Sequence, residues 1–196
     1  GYSSAASDGY KRQTLADNTT NTITDSSRLS TEEDYSAAIY SKEDLIINGN
    51  GTLNVNAGYR NGIKSTDDCI IVSGTLIITS TEDGIIGKDL CGIVAGDINI
   101  NAGSDGIKST YDTDTTKGNV IIEGGNITIK ASNDGIQAEN ILVINDGTIN
   151  IKTNNGAADT TQTHIDNMDM GRGGFGFNNN KTCLLYTSPS PRDRQK

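Results

Sequence analysis

The sequence has no tryptophan, and aromatic residues make up only 5% of its 196 residues. A flat platform of aromatic rings that would stack on sugar rings is therefore hard to assemble. The single histidine, His164, argues against a zinc site, because zinc is bound mainly by histidine and cysteine. Ser-His-Asp spacing, activated nucleophile motifs and phosphate-binding glycine loops are also absent. These absences exclude triad hydrolases and the common nucleotide-binding enzymes.

Long apolar runs are missing as well. No segment approaches the roughly 20 apolar residues that span a bilayer, and no basic region followed by an apolar core marks a signal peptide. The chain begins at Gly1 without a methionine, and we interpret this start as cutting into the first repeat, so we expect further protein upstream. A net charge of −9 argues against nucleic acid as a partner.

The sequence does contain a repeat of about 22 residues, in which residues 74–80 and 83–85 recur as 96–102 and 105–107. Two series of glycines follow the same frame. One opens each apolar run, at Gly51, Gly74, Gly96, Gly125 and Gly147; the other lies in the turn, at Gly62, Gly84, Gly106, Gly135 and Gly156. In both series the spacing between successive glycines is about 22 residues, and it increases once, across the polar insertion 110–117. A fixed period of this size is typical of a solenoid.

Within each repeat the apolar residues alternate with polar ones, which is the period of a β-strand. Superposed repeats give columns of like residues, as in-register strands about 4.8 Å apart require. The columns are Leu53, Leu76, Ile98, Ile127 and Ile149; Val55, Ile78, Ile100, Ile129 and Ile151; Ala57, Ser80, Ala102, Ala131 and Thr153; and Ile63, Ile85, Ile107 and Ile136. The pattern predicts an all-β fold, a single-stranded parallel β-helix with about 22 residues and three short strands per coil.

This repeat divides the chain into four parts. Residues 1–34 are a polar segment that we interpret as the start of a truncated first coil, with a strand expected at 21–25. Residues 35–158 carry the β-helix repeats, and residues 159–182 form a flexible Gly/Asn-rich tail. Residues 183–196 hold both prolines and resemble translated sequencing-adapter sequence, so we interpret them as non-native and exclude them from the fold.

Two cysteines lie one repeat apart within the predicted core. Cys69 and Cys91 share a column with Leu45, Val120 and Leu142. Adjacent coils would bring the two Cα atoms within reach of a disulfide. A pair of stacked, buried thiols is the alternative that we favour.

One polar column lies two residues before the isoleucine of each turn. Its members are Asn61, Asp83, Asp105, Asp134 and Asn155. Both residue types close turns by hydrogen bonds from side chain to backbone. Because asparagine and aspartate replace each other freely in this column, we predict a turn-building role in which the hydrogen bond matters more than the charge.

A second polar column is the candidate metal site. Four residues after the turn isoleucine lie Glu43, Asp67 and Asp89, with Asp44 and Asp68 alongside. On adjacent coils these carboxylates would be about 5 Å apart, where they raise one another's pKa or bind a cation. Hard oxygen ligands favour Ca²⁺ over zinc or copper. We therefore expect Ca²⁺ at these five residues.

Lys64 and Lys108 occupy equivalent positions after their turns, two coils apart. Three roles are open: neutralising nearby aspartates, binding an acidic sugar, or acting as the general base that abstracts the proton beside a uronate carboxylate. The scattered tyrosines Tyr59 and Tyr111 are further candidate carbohydrate contacts.

Several motifs together carry a family resemblance. Residues 38–45, the stem at 47–53, the Asp-Gly-Ile turns and the glycine-rich tail with its phenylalanines resemble the bacterial secreted carbohydrate-binding domain-containing family over roughly residues 20–178. The resemblance implies a right-handed parallel β-helix similar to pectate lyases, calcium at Asp67, Asp68 and Asp89, and binding of plant cell-wall polysaccharides.

We therefore expect a secreted or cell-surface monomer that binds polysaccharide without catalysis and is stabilised by Ca²⁺. One alternative is a calcium-dependent, pectate-type lyase that uses Lys64 or Lys108. Another is a structural surface stalk or adhesin segment.

Overall fold

The computed structural model describes residues 10–26, 36–153 and the backbone of 185–187, and all regular structure in these ranges is β-strand. No helix in this part of the chain is long and apolar enough to cross a membrane. The strands are β1 (Tyr10–Leu15), β2 (Thr20–Asp25), β3 (Ala37–Ser41), β4 (Asp44–Gly49), β5 (Thr52–Ala57), β6 (Asn61–Ser65), β7 (Cys69–Ile71), β8 (Thr75–Ser80), β9 (Ile85–Gly87), β10 (Leu90–Ile93), β11 (Asp97–Ala102), β12 (Ile107–Lys108), β13 (Asn119–Ile122), β14 (Asn126–Ala131), β15 (Ile136–Ala138), β16 (Leu142–Ile144), β17 (Thr148–Thr153) and β18 (Leu185–Thr187).

These strands form three parallel sheets that run the length of the solenoid. Sheet A has the order β1-β4-β7-β10-β13-β16, sheet B the order β2-β5-β8-β11-β14-β17, and sheet C the order β3-β6-β9-β12-β15-β18. The chain visits A, B and C in turn, and each strand pairs with its counterpart one coil away. This topology confirms the predicted parallel β-helix.

The strand register confirms the predicted columns. Leu53 pairs with Leu76, and Leu76 pairs with Ile98. In sheet C, Ile63 pairs with Ile85, and Ile85 pairs with Ile107. All six side chains are buried, and together with their counterparts they form one continuous apolar core. Burial of each such side chain stabilises the fold by about 1.5–3 kcal/mol.

The first coil begins well before residue 35. β1 pairs with β4 and β2 pairs with β5, so the repeats extend back to Tyr10, and the strand expected at 21–25 is β2. Lys11 and Gln13 are aligned with the core residues Leu45 and Ile47, and both are exposed. On β1 these two positions of the core columns therefore hold polar side chains, whereas Leu15 on the same strand belongs to the apolar core.

The remaining segment boundaries fall mostly outside the described residues. The coils are described without a break from residue 36 to Thr153. The backbone of β18 lies within the segment 183–196 that the sequence analysis excludes from the fold, yet it pairs in parallel with β15. Residues 154–184 and 188–196, on which the tail and adapter interpretations depend, lie outside the described residues.

Both cysteines of the predicted core column are free thiols. Cys69 and Cys91 are register partners on β7 and β10 and are fully buried. Burial raises the pKa of Cys91 to about 12, and it raises the pKa of Cys69 well above its usual value. The structure therefore has the stacked thiols that we favour over a disulfide.

The two glycine series have different physical causes. Gly74 and Gly96 open their strands with φ angles of 112° and 116°, a left-handed conformation that is costly for other residues. The turn glycines are required by close packing. A Cβ atom at Gly84 would lie 2.5 Å from the carbonyl oxygen of Gly106 and 2.5 Å from Cγ2 of Ile100.

We predict that Gly84→Ala destabilises the fold, because an added methyl would force two coils apart. Overpacking of this kind typically costs about 1–3 kcal/mol, and urea denaturation would measure the loss. Gly92→Ala is the matched control, because its Cβ would lie 3.6 Å from the nearest atom, in Ile70. Equal free energies of unfolding for the two variants would contradict this account of the turn.

Candidate functional site

The turn-building column forms a ladder between coils. Oδ1 of Asn61 accepts a hydrogen bond from the backbone N–H of Asp83 at 3.0 Å, and Oδ1 of Asp83 accepts one from Asp105 at 2.9 Å. Oδ1 of Asp105 accepts one from Asp134 at 3.0 Å. The expected side-chain-to-backbone bond thus links each coil to the next instead of closing the turn within one coil. The fifth predicted member, Asn155, lies outside the described residues.

Lys108 is held by this ladder. Its Nζ donates to Oδ2 of Asp105 at 2.6 Å and lies 3.9 Å from Oδ2 of Asp83. Burial acts to lower the pKa of Lys108, but the bond to Asp105 and the charges of Asp83, Asp105 and Asp134 raise it above its usual value. A lysine that holds its proton this firmly is poorly suited to act as a general base.

Lys64 is placed differently. Its Nζ donates to Oγ of Ser36 at 3.0 Å. The buried Ile86 lies between Lys64 and Lys108 in their column, so the two lysines do not form a continuous basic strip. Burial, aided by the charge of Arg60, lowers the pKa of Lys64. Only Lys64 therefore shows the pKa direction that a lysine base requires.

Three of the five predicted metal ligands converge where the chain passes from sheet C to sheet A. The carboxylates of Asp44, Asp67 and Asp68 each offer an oxygen, and these atoms all lie within 4.8 Å of one another. We call these three residues the acidic cluster. Pairing of β7 with β4 brings residues 67 and 68 next to residue 44, and Oδ1 of Asp44 accepts a hydrogen bond from the N–H of Asp68 at 3.2 Å.

Two buried serines hold the backbone of this corner. Oγ of Ser65 accepts from the N–H of Asp67 at 3.1 Å and donates to the carbonyl oxygen of Glu43 at 2.7 Å. Oγ of Ser41 accepts from the N–H of Glu43 at 3.2 Å. Sequence reasoning missed these serines, although their recurrence two residues after the turn isoleucine was a usable signal.

The other two predicted ligands, Glu43 and Asp89, are not among these three residues, although the Asp89 carboxylate hydrogen-bonds with Asp67. The side chain of Glu43 is exposed. Asp89 is buried, and its Oδ2 accepts a hydrogen bond from Nζ of Lys117 at 2.5 Å. The backbone carbonyl of Asp89 also accepts from the N–H groups of Gly118 and Asn119. The insertion 110–117 thus supplies a cation to Asp89, a role that sequence reasoning missed.

Burial and neighbouring carboxylates raise the pKa of Asp67 and Asp68. Burial, followed by the charges of Asp44 and Asp67, raises the pKa of Asp68 to about 6. Hydrogen bonding with the Asp89 carboxylate, followed by burial and the charge of Asp44, raises the pKa of Asp67. A divalent cation relieves such repulsion, and carboxylate oxygens are the ligands that Ca²⁺ prefers. The donor set therefore fits a hard cation.

Both candidate tyrosines contact cations of their own chain. The Tyr111 ring centroid lies 4.9 Å from Nζ of Lys88 and 5.0 Å from Nζ of Lys117. The Tyr59 ring centroid lies 5.6 Å from Cζ of Arg60. These cation–π contacts occupy ring surface that could otherwise stack on a sugar.

Comparison with known proteins identifies the family. The sequence model of a family described as "Carbohydrate-binding domain-containing protein" matches residues 9–176. The chain belongs to this family. A carbohydrate-binding domain-containing protein of Acetivibrio thermocellus is 38% identical over 68 residues, which cover 33% of this chain and 24% of that protein.

A solved structure gives a further similarity of fold. It is described as the polysaccharide lyase-like protein from C. thermocellum, gadolinium derivative, and it is similar with a TM-score of 0.71 at 33% identity. The alignment covers 75% of this chain and 61% of that one. This chain therefore spans about a quarter of the curated relative and less than two thirds of the solved one.

The acidic cluster of this carbohydrate-binding domain predicts an unusual pH dependence in the absence of divalent cations. The folded pKa of Asp68, about 6, exceeds the ordinary value of 3.8, so the folded state binds the proton more tightly than the unfolded state. This group contributes stability at low pH, and that contribution is lost as the pH rises through about 6. We expect the melting temperature in chelator to increase as the pH falls from neutral to about 5.

Asp68→Asn should raise the melting temperature in chelator at neutral pH and flatten its dependence on pH. Asp112→Asn, which removes an exposed carboxylate from the insertion, serves as the control and should change neither. A wild-type melting temperature that falls steadily from neutral pH to about 5 would show that this repulsion is negligible.

Substitutions at Asp105 should separate the ladder bond from the ion pair. Asp105→Ala removes both and should lower the free energy of unfolding by about 3–5 kcal/mol, because Lys108 then loses its buried partner. Asp105→Asn keeps an oxygen for the N–H of Asp134 and should cost markedly less. Chemical denaturation followed by circular dichroism measures both losses. Equal losses would mean that the charge matters more than the ladder.

Proposed function

We propose that this protein is a secreted, non-catalytic β-helix that binds acidic polysaccharide of the plant cell-wall type and is stabilised by Ca²⁺. The observation that carries the proposal is the convergence of Asp44, Asp67 and Asp68 within 4.8 Å in a member of a carbohydrate-binding family. Asp44, Asp67 and Asp68 would hold the ion. When bound, the ion supplies positive charge and leaves coordination positions that a sugar carboxylate can fill, since calcium takes six to eight oxygen ligands.

Electrostatics support a role for the cation in binding. The net charge of −9 opposes the approach of a polyanionic chain. Neutralising the acidic cluster would remove this repulsion at one corner of the solenoid. Lys88 and Lys117, both in contact with Tyr111, add positive charge near the same corner. A carboxylate-bearing polymer is therefore a better ligand for the loaded protein than for the free one.

Lyase activity is the second candidate. The lowered pKa of Lys64 favours it, as does the similarity to a protein described as polysaccharide lyase-like. A lyase of this class would release unsaturated products that absorb in the ultraviolet from polygalacturonate in the presence of Ca²⁺. If the wild type releases these unsaturated products and Lys64→Ala does not, the protein is a lyase and the proposal of a non-catalytic binding protein is wrong. A purely structural stalk would be retained on no polysaccharide.

We predict that Ca²⁺ raises the melting temperature and the affinity for polygalacturonate, and that Asp67→Asn combined with Asp68→Asn abolishes both effects. An ion that binds only the folded state stabilises it by about 2.7 kcal/mol at 100 times its dissociation constant. Thermal melting and calorimetric titration, each with Ca²⁺ and with chelator, measure the two effects. A luminescent lanthanide provides an independent binding probe, since a related protein has been solved as a gadolinium derivative.

Asp112→Asn is again the matched control, because it removes an exposed carboxylate of the insertion that is not part of the acidic cluster. Melting curves that coincide in Ca²⁺ and in chelator would refute the cation site. If the variant that combines Asp67→Asn with Asp68→Asn is retained on polygalacturonate as strongly as the wild type, the cation does not take part in polysaccharide binding.

A further inference from the structure

The outward surface of sheet B, which we call the Thr/Asn face, has an unusual composition. It consists of the residues of β2, β5, β8, β11, β14 and β17 that alternate with the inward-facing ones. All of these residues are threonine or asparagine except Ile77, Asp97, Lys130 and Lys152. Pairing in register arranges them in columns, of which one is Thr24, Asn56, Thr79, Asn101, Lys130 and Lys152.

Much of the hydrogen-bonding capacity of this face is free. The bonds from Asn54 to Thr22 and from Asn56 to Thr24 are long, at 3.3 and 3.4 Å. Within the described ranges, Asn99 and Asn101 make no side-chain hydrogen bond. Amides and hydroxyls both donate and accept, as sugar hydroxyls do. The columns repeat at about 4.8 Å, close to the length of one sugar ring in an extended chain.

The charge on the Thr/Asn face is opposite in sign to that of the whole chain. Its only acidic residue, Asp97, accepts a hydrogen bond from the amide of Asn126 at 3.4 Å. Lys130 and Lys152 are exposed register partners on adjacent strands. Neither lysine makes a hydrogen bond or ion pair with any described residue. Like charges placed directly opposite each other repel, and an anionic ligand between them would remove that repulsion.

The two lysines also border a depression in the surface. Asn101, Ala102, Lys130, Ala131, Ser132 and Lys152 line a cavity of about 230 Å³. The small side chains of Ala131 and Ser132 leave room between the longer ones. The same column thus offers two positive charges, a free amide and space for a ligand. Nearby, Ile77 is 46% exposed and can contact the CH groups of a sugar ring.

We infer that the Thr/Asn face is a second polysaccharide-binding surface, separate from the acidic corner and independent of any cation. An acidic chain lies across the strands, with sugar carboxylates at Lys130 and Lys152 and sugar hydroxyls bonded to the asparagine and threonine columns. This inference rests on the proposed function for the class of ligand. It places the contacts on another sheet and requires no metal.

The test is the affinity for polygalacturonate in chelator, where the acidic cluster cannot contribute through Ca²⁺. Lys130→Gln with Lys152→Gln should weaken binding about fivefold or more, as expected for the loss of two exposed charge contacts. Asn99→Ala with Asn101→Ala should weaken it as well. Lys11→Gln with Lys42→Gln removes two exposed lysines elsewhere and should leave the affinity within about twofold of wild type.

A second readout does not depend on variants. Acetylation of lysines followed by mass spectrometry should show Lys130 and Lys152 protected by oligogalacturonate, with Lys11 and Lys42 unprotected. A fully methyl-esterified polymer should neither protect them nor bind comparably. Equal binding of the esterified polymer would show that the face takes neutral chains and would overturn the acidic assignment.

The outcomes separate this inference from the proposed function. Binding that requires Ca²⁺ and is unchanged by the Lys130 and Lys152 variants would overturn the inference and leave the proposed function standing. Binding in chelator that these variants weaken would support the inference even if Ca²⁺ had no effect. A wild-type protein that binds no polysaccharide under either condition would overturn both.

Discussion

In-register parallel stacking is the constraint on which the rest of this structure depends. It places each side chain directly over its counterpart in the next coil, about 4.8 Å away. For Leu76 and Ile98 this is favourable, because apolar groups lose water when they stack. For carboxylates it is unfavourable unless something intervenes. The same rule therefore builds the core and concentrates charge at the corner between sheets C and A.

Stacked carboxylates occur in three arrangements, and the chain itself neutralises two of them. In the ladder, Asp83 and Asp105 point their oxygens at backbone N–H groups of the next coil and share the charge of Lys108. At the corner, Asp89 is neutralised by Lys117. The acidic cluster of Asp44, Asp67 and Asp68 has no comparable lysine contact among the described residues. It is the one of the three arrangements that an external cation would complete.

Most of the fold could be predicted from the sequence because the period fixes the register. Once Gly84 and Gly106 are aligned, every inward residue between them is assigned to a column. The truncated first coil and its strand β2 were expected, but strand β1 escaped this reasoning for a physical reason. Polar Lys11 and Gln13 occupy the positions of β1 that align with core residues of β4, and both are exposed, so the alternation that marks a strand is lost.

The site was less predictable, because periodicity gives the position of a residue but not its partner. Lys64 and Lys108 are equivalent in the repeat, yet one bonds Ser36 and the other Asp105. Asp89 was grouped with Asp67 as a ligand because the two are one coil apart. Asp89 also accepts a hydrogen bond from Lys117, which comes from the insertion, where the repeat is interrupted and spacing carries no information.

That insertion shows how a solenoid of this kind can alter its surface chemistry while its backbone stays the same. Residues 110–117 leave the stack after β12 and return to it at β13, and the pairing of β10 with β13 continues in register across the gap. The entropy cost of a surface loop grows only slowly with its length. Loop length at this corner can therefore vary among related chains at little cost to folding. Each variation would bring a different side chain to the position held here by Lys117, so the corner can diversify in evolution while the core columns remain fixed.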